Sequence, residues 1–438
     1  VPGLVVDGGG SPEQGDIAMR FAYFRLFGPT TEGEGAKRKL RHRHLKQRLR
    51  VLGALLGVAT LLVPLSVNAA TLTTIFTFDG KDGATPEGSL LAVGSVLYGT
   101  TNTGGTGGAG TVFGINRFTN RAHSYSFPGG FVDGGSPSGN LTDVGGVLYG
   151  VGSNGGTNST GVIYALDPTS GIETIVHSFG PQGGPDGALP FAGLLDVGGI
   201  LYGTTALGGG RYDLGTVYSF NPKNGFERVV HSFTAIGTDG ATPYAGLINV
   251  GGTLYGATYY GGAFGCGTIF AFDPTTKITT VLYSFTGGAD GSNPYGPLTS
   301  IGNVLYGTTQ FGGNAGCELQ YGCGAAFMLD LSTGEFTTIY SFAGSPDAGN
   351  PNSLTSVNGK LFGTAGDGSS GFGAIFQIDP TTGVEQVVYS FTGGSDGAGA
   401  ASPLIEVDHA LWGVTGSGGS YAKHCVQFGC GTVFKLTP

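Results

Sequence analysis

One phrase recurs seven times along this chain and governs everything it can fold into: Leu97-Tyr98-Gly99, Leu148-Tyr149-Gly150, Leu201-Tyr202-Gly203, Leu254-Tyr255-Gly256, Leu305-Tyr306-Gly307, Leu361-Phe362-Gly363 and Leu411-Trp412-Gly413. A second phrase, Ser-Phe or Thr-Phe, ends at Phe78, Phe127, Phe179, Phe233, Phe285, Phe342 and Phe391, with spacings of 49, 52, 54, 52, 57 and 49 residues. Length alone, 438 residues, would suggest two or three ordinary domains. A period near that size, filled with several short β-rich runs, instead predicts an array of propeller blades.

Each unit parses into four strands, a to d. In the third they are Phe191 to Val197, Ile200 to Thr204, Thr216 to Asn221 and Glu227 to Phe233. Gly198-Gly199 separates a from b, and Asn-Pro-Lys-Asn-Gly separates c from d, matching Asp167 to Gly171 and Asp379 to Gly383 in other units. These are turn residues, with Asx side chains capping their own backbone, Pro presetting φ and Gly taking the left-handed position. The 88 glycines and 21 prolines are therefore periodic punctuation, not flexible filler. A d-type strand, Leu72 to Phe78, precedes the first a strand, while the last unit stops at Thr437-Pro438, where its own turn to d would begin. Pairing Leu72 to Phe78 with Thr432 to Leu436 closes the ring and hides two sheet edges. The expected fold is all-β, a seven-bladed β-propeller of four-stranded blades over residues 70–438, closed by its N-terminal strand.

The repeats start late. Lys37 to Arg50 is strongly basic, Val51 to Val67 is apolar, and Val67-Asn68-Ala69 offers small residues for cleavage after Ala69, so residues 37–69 read as a secretory signal peptide. Pro64 and the shortness of the apolar run argue against an uncleaved anchor, the one route to a membrane. Residues 1–36 are Gly-rich and patternless, a disordered extension or a stretch upstream of a true start at Met19 or later. From residue 70 onward ten Lys/Arg face twenty-four Asp/Glu, a poor match for phosphate backbones, which excludes a nucleic-acid partner.

The whole sentence, LYGTT…GG…GxGTVF…DP.TG…VYSF…GG.DG..P, resembles the bacterial Gloeo-Verruco (GloVer) tandem repeat over residues 72–438. The resemblance implies secreted or surface-attached bacterial propellers without an established activity. Kelch propellers usually carry a tryptophan in each blade, and only Trp412 is present; the same shortage weakens a quinoprotein reading. Asp239 to Pro243 lacks the tryptophan of a sialidase Asp-box.

Three groups of residues are candidates for chemistry. Asp82, Asp133, Asp186, Asp239, Asp290 and Asp396 each precede glycine between strands d and a, with Asp347-Ala348 as the imperfect seventh. Topology puts these connections on the same face as the variable b-to-c loops, a rim suited to binding. A ring of carboxylates there is a candidate site for calcium or a polyhydroxylated ligand, and the tight-turn chemistry of Asp-Gly is the rival and stronger reading. His177 and His231 occupy a position filled by Phe76, Tyr125, Tyr283, Tyr340 and Tyr389 elsewhere, which points to ring packing, and His123, His409 and His424 have no recurrent acid or serine partner. The cysteines predict disulfides Cys317–Cys323 and Cys425–Cys430 with Cys266 free; zinc is disfavoured because the spacings are not CxxC. No catalytic grouping, cofactor or metal ligand set is expected. The reading is a secreted or cell-envelope, non-enzymatic propeller binding a glycan or extracellular protein through one rim; the alternative is an extracellular polysaccharide hydrolase or lyase using rim carboxylates.

Overall fold

The chain alternates β-branched and aromatic runs with Gly-rich turns, and in the computed structural model its described residues form seven antiparallel sheets of four or five strands, one per repeat, around a common axis, with two further two-stranded ribbons. The structure describes residues 70–129, 134–313, 317, 321–400, 402–419, 425 and 428–437; the extension 1–36, the signal segment 37–69, Asp133 and His424 lie outside them. In the third blade the strands are Leu195–Val197, Ile200–Thr205, Thr216–Asn221 and Phe226–Ser232, hydrogen-bonded in chain order. Closure is by the N-terminal strand: Thr71–Thr77 pairs antiparallel with Thr432–Thr437, from Thr71 opposite Thr437 to Thr77 opposite Thr432, with a bulge between Thr74 and Phe76.

The inner strand of the third blade is shorter than its sequence suggests. Phe191 to Leu194 leave the ladder because the carbonyls of Pro190 and Leu194 accept hydrogen bonds from Ser138 and Thr142 of the second blade. Near the axis the blades converge, so these backbone groups find partners next door. The second and sixth blades keep longer inner strands, Gly134–Val144 and Gly349–Val357, each interrupted by a register shift.

One packing unit recurs at all seven interfaces. The glycine of the Leu-Tyr-Gly phrase lies directly opposite an aromatic residue of strand c, as Gly203 opposite Tyr218 and Gly307 opposite Phe327. With no Cβ on the glycine, the ring can lie across the backbone. The Phe that ends strand d of the preceding blade then meets this ring edge-on: Phe78–Phe113, Phe127–Tyr164, Phe179–Tyr218, Phe233–Phe270, Phe285–Phe327, Phe342–Phe376 and Phe391–Phe434 have centroids 4.9 to 5.4 Å apart. Each pair adds about 0.5–1.5 kcal/mol beyond its buried area. Because Phe78 comes from the N-terminal strand, the pair Phe78–Phe113 joins the seventh blade to the first.

A second device fixes the approach to the axis. Thr85, Ser136, Leu189, Thr242, Asn293 and Asn350, each just before a proline, all have φ between 49° and 59°. That conformation costs a non-glycine residue about 1–2 kcal/mol, so the surroundings must over-determine it. They do: each of these N–H groups donates to a carbonyl just ahead of strand c in the preceding blade, as Thr242 to Leu214 and Asn293 to Cys266. The proline and the residue after it are thereby turned inward.

Candidate functional site

The recurrent aspartates hold their loops. Asp290 accepts from the N–H and hydroxyl of Thr286 and from the Tyr283 hydroxyl at 3.0 Å, and Asp396 does the same with Thr392 and Tyr389. Asp239 accepts from Thr234 and Gly240, Asp186 from Gly180 and Gly187, and Asp82 from the Asp79 N–H. Burial, with the neighbouring Asp79 charge, pushes Asp82 up to about 6. The glycine that follows is also structural. A Cβ on Gly187 or Gly240 would stand 2.5 or 2.4 Å from Thr205 or Thr258, threonines whose hydroxyls pair in the interior with Thr216 and Thr268 at 2.8 Å.

The outer ends of the blades carry acids whose titration is testable. Glu385 lies beside Tyr340 and Asp347, and burial first, then the Asp347 carboxylate, push it up to about 8, with a hydrogen bond from Tyr340 opposing the rise. A carboxyl raised in the folded state holds its proton more tightly there than in the unfolded chain. Its contribution is therefore complete below about pH 4.5 and is lost as pH climbs through 8. Melting in the presence of a chelator is expected to show lower stability at pH 8.5 than at pH 5. Glu385→Gln, which keeps a neutral side chain, should recover on the order of 1 kcal/mol at the higher pH after allowance for solvent access. A variant with the parent's full pH slope would exclude Glu385 as its source.

The cysteines expected to pair stand at disulfide distance, with Cα atoms 5.7 Å apart in Cys317–Cys323 and 5.3 Å in Cys425–Cys430, and Cys266 is left free. The backbone carbonyls of Cys266 and Cys323 accept the inter-blade hydrogen bonds from Asn293 and Asn350. The histidines pack as rings, edge-on to the following phenylalanine at 4.9 Å for His177–Phe179 and 4.7 Å for His231–Phe233.

A different set of residues meets at the axis. The position after the inward-turned proline is Glu87, Ser138, Phe191, Tyr244, Tyr295 and Asn352 in the first six blades, so three consecutive blades present an aromatic ring there. Phe191–Tyr244 and Tyr244–Tyr295 each lie 5.6 Å apart. Tyr259, at the end of strand b in the fourth blade, packs against Tyr244 at 5.3 Å, Tyr260 at 4.7 Å and Tyr295 at 6.2 Å, and donates its hydroxyl to Gln310 at 3.0 Å. The arc stays wet, with Tyr295 41% and Tyr260 50% exposed. Burial, then Glu87 and Tyr244, pushes Tyr295 up to about 12, and burial with its tyrosine neighbours does the same for Tyr259. Glu87 belongs to the first blade and Tyr295 to the fifth, and the Glu87 charge is one cause of the Tyr295 rise. Glu87 is solvent-exposed yet walled in by protein, and that desolvation raises its pKa.

These residues thus make an aromatic sector with a carboxyl within electrostatic reach of Tyr295. Its phenols are neutral near pH 7 and its rings offer apolar faces, a combination that suits a ligand with both C–H faces and hydroxyls. Its one signal in the sequence is a departure from the repeat: aromatic residues at a position that is otherwise small or polar.

A family model described as the Gloeobacter/Verrucomicrobia repeat matches residues 60–212 and 206–434. No curated protein matches the chain. Among solved structures it is similar to one from a nidogen/laminin complex, at TM-score 0.41 and 15% identity, covering 66% of this chain and 91% of that one. The tricorn protease gives 0.40 and 10%, covering 75% of this chain, which spans only 27% of the protease chain. A structural-genomics protein of unknown function from Bacteroides thetaiotaomicron VPI-5482 gives 0.44 and 15%, covering 84% and 76%.

Proposed function

The chain belongs to the Gloeobacter/Verrucomicrobia repeat family, and from that premise we propose that it is an exported, non-enzymatic propeller that binds a polysaccharide at the aromatic mouth of its axis. The observation that carries the reading is the contiguous arc of Phe191, Tyr244, Tyr259 and Tyr295, assembled from three blades and left accessible. Sugar rings present C–H faces that pack on aromatic faces, and their hydroxyls take hydrogen bonds from neutral phenols and give them to a carboxylate such as Glu87. Two cysteine pairs at disulfide distance support an oxidising compartment. The rim aspartates enter this reading as supports of the loops around the mouth.

A glycan array run beside a reducing-end assay on the same polysaccharides tests it. Saturable binding without turnover is expected, and Tyr244→Ala should weaken it by about tenfold or more, the range of a central aromatic anchor. Phe118→Ala, which removes a 69% exposed ring in a c-to-d turn on the opposite face, should leave binding unchanged. Equal loss in both variants, or no binding to any glycan, overturns the proposal. Turnover that stops in Glu87→Gln would replace it with the hydrolase reading.

A further inference from the structure

We propose that His177, Asp186 and Glu227 form a site for a divalent ion of the zinc class, tying the second blade to the third. The other blades fill the same place differently. In the fourth, fifth and sixth blades the residue two before the final Phe is a tyrosine whose hydroxyl donates to the loop aspartate: Tyr283 to Asp290, Tyr340 to Asp347 and Tyr389 to Asp396, each at 3.0 Å. The second blade has His177 instead. Imidazole is shorter than phenol, and its Nε2 stops 3.4 Å from Asp186 Oδ2 and 4.0 Å from Glu227 Oε2. It makes no hydrogen bond there, and neither do Glu227 Oε1 or the Tyr218 hydroxyl, all of them buried atoms.

Two features make this more than a cluster of acids. The Glu227 side chain is only 9% exposed, and its Oε1 makes no hydrogen bond. One donor atom from each of His177, Asp186 and Glu227 lies within 4.8 Å of the others, the one such grouping of three among the described residues. Ligands held at 2.0–2.2 Å around a tetrahedral zinc ion stand about 3.3–3.6 Å apart, so small side-chain shifts close the gap.

The donor set also selects the ion. One imidazole nitrogen and two carboxylates favour a borderline ion such as zinc over calcium, which takes oxygen ligands throughout. The Gly180 and Gly187 N–H groups, each 2.8 Å from an Asp186 oxygen, orient that carboxylate and leave it lone pairs to share. The next interface is an internal control. His231 Nε2 stands 3.5 Å from Asp239 Oδ1, but Thr279 and Phe270 replace Glu227 and Tyr218, leaving two ligands.

The test uses the full chain, stripped with a chelator and titrated with zinc chloride, with uptake followed by calorimetry and bound metal by mass spectrometry. Expected results are one tight zinc per chain and a melting temperature that rises with zinc. His177→Tyr copies the fourth to sixth blades and should fold, yet lose the tight site and the zinc-dependent rise. Glu227→Gln should lose them too, and His231→Tyr should keep both. A plain His177–Asp186 contact without an ion would take up no zinc. No uptake at about 100-fold excess of zinc over protein, or unchanged uptake in His177→Tyr, overturns the proposal.

Discussion

Removal of residues 70–78 is expected to abolish cooperative unfolding and to produce concentration-dependent assemblies larger than the parent, and a peptide spanning Ala70 to Phe78, added in trans, to restore the parent's size. Among the described residues the seventh blade joins Ile405–Val407, Ala410–Thr415 and Thr432–Thr437, and the segment Thr71–Thr77 covers the last of them. Without it, the backbone donors and acceptors of Thr432–Thr437 become an open template for pairing. Phe78 is lost as well, with its N–H bonded to Gly431 at 3.1 Å and its fully buried ring against Phe113. Truncating a buried Phe to Ala alone costs about 3–5 kcal/mol. A whole strand adds Leu72, Ile75 and Phe76 to that loss, set against a total stability of about 5–15 kcal/mol for a typical domain. Thermal melts and size-exclusion chromatography over a tenfold concentration range read the result. A shortened chain that keeps the parent's size and melting temperature would mean that the ring does not depend on its N-terminal strand.

That closure was legible in the sequence because it is a matter of counting: repeat phase exposes a surplus strand at one end and a deficit at the other, and pairing is the one arrangement that satisfies both. The turns were legible for a related reason, since Asp-Gly and Asp-Pro-x-x-Gly do local work that needs no knowledge of neighbours. The aromatic arc was not. Phe191, Tyr244 and Tyr295 lie about one repeat apart, and aligning repeats treats such differences as noise, whereas the axis brings variable positions together. His177 shows a second limit. Sequence sees that one position accepts several rings, but only geometry shows that a phenol reaches its aspartate at 3.0 Å and an imidazole stops at 3.4 Å. Glu227, which completes that group, sits in the next repeat.

The glycine of the recurrent Leu-Tyr-Gly phrase yields the second large effect, and its sign opposes intrinsic preference. Alanine in place of a strand glycine is ordinarily favourable by roughly 0.5–1 kcal/mol. At Gly307, however, an added Cβ would stand 2.5 Å from Cζ of Phe327 and 2.8 Å from Cδ2 of Leu298. Neither can retreat easily, because Phe327 is fully buried, with Phe285 at 5.2 Å and Phe336 at 5.5 Å, and Leu298 is 4% exposed. Overpacking of this kind costs about 1–3 kcal/mol and sometimes more, so Gly307→Ala should lower stability by about that much in chemical denaturation. Gly288→Ala, whose nearest contact would be an ordinary 3.4 Å, should stay within about 0.5 kcal/mol of the parent. Phe327→Leu shortens the ring that the new methyl strikes, so the double variant should be more stable than the sum of the two single losses predicts. Strict additivity would mean that the ring and the glycine do not share their space, and the packing unit repeated at every interface would lose its physical basis.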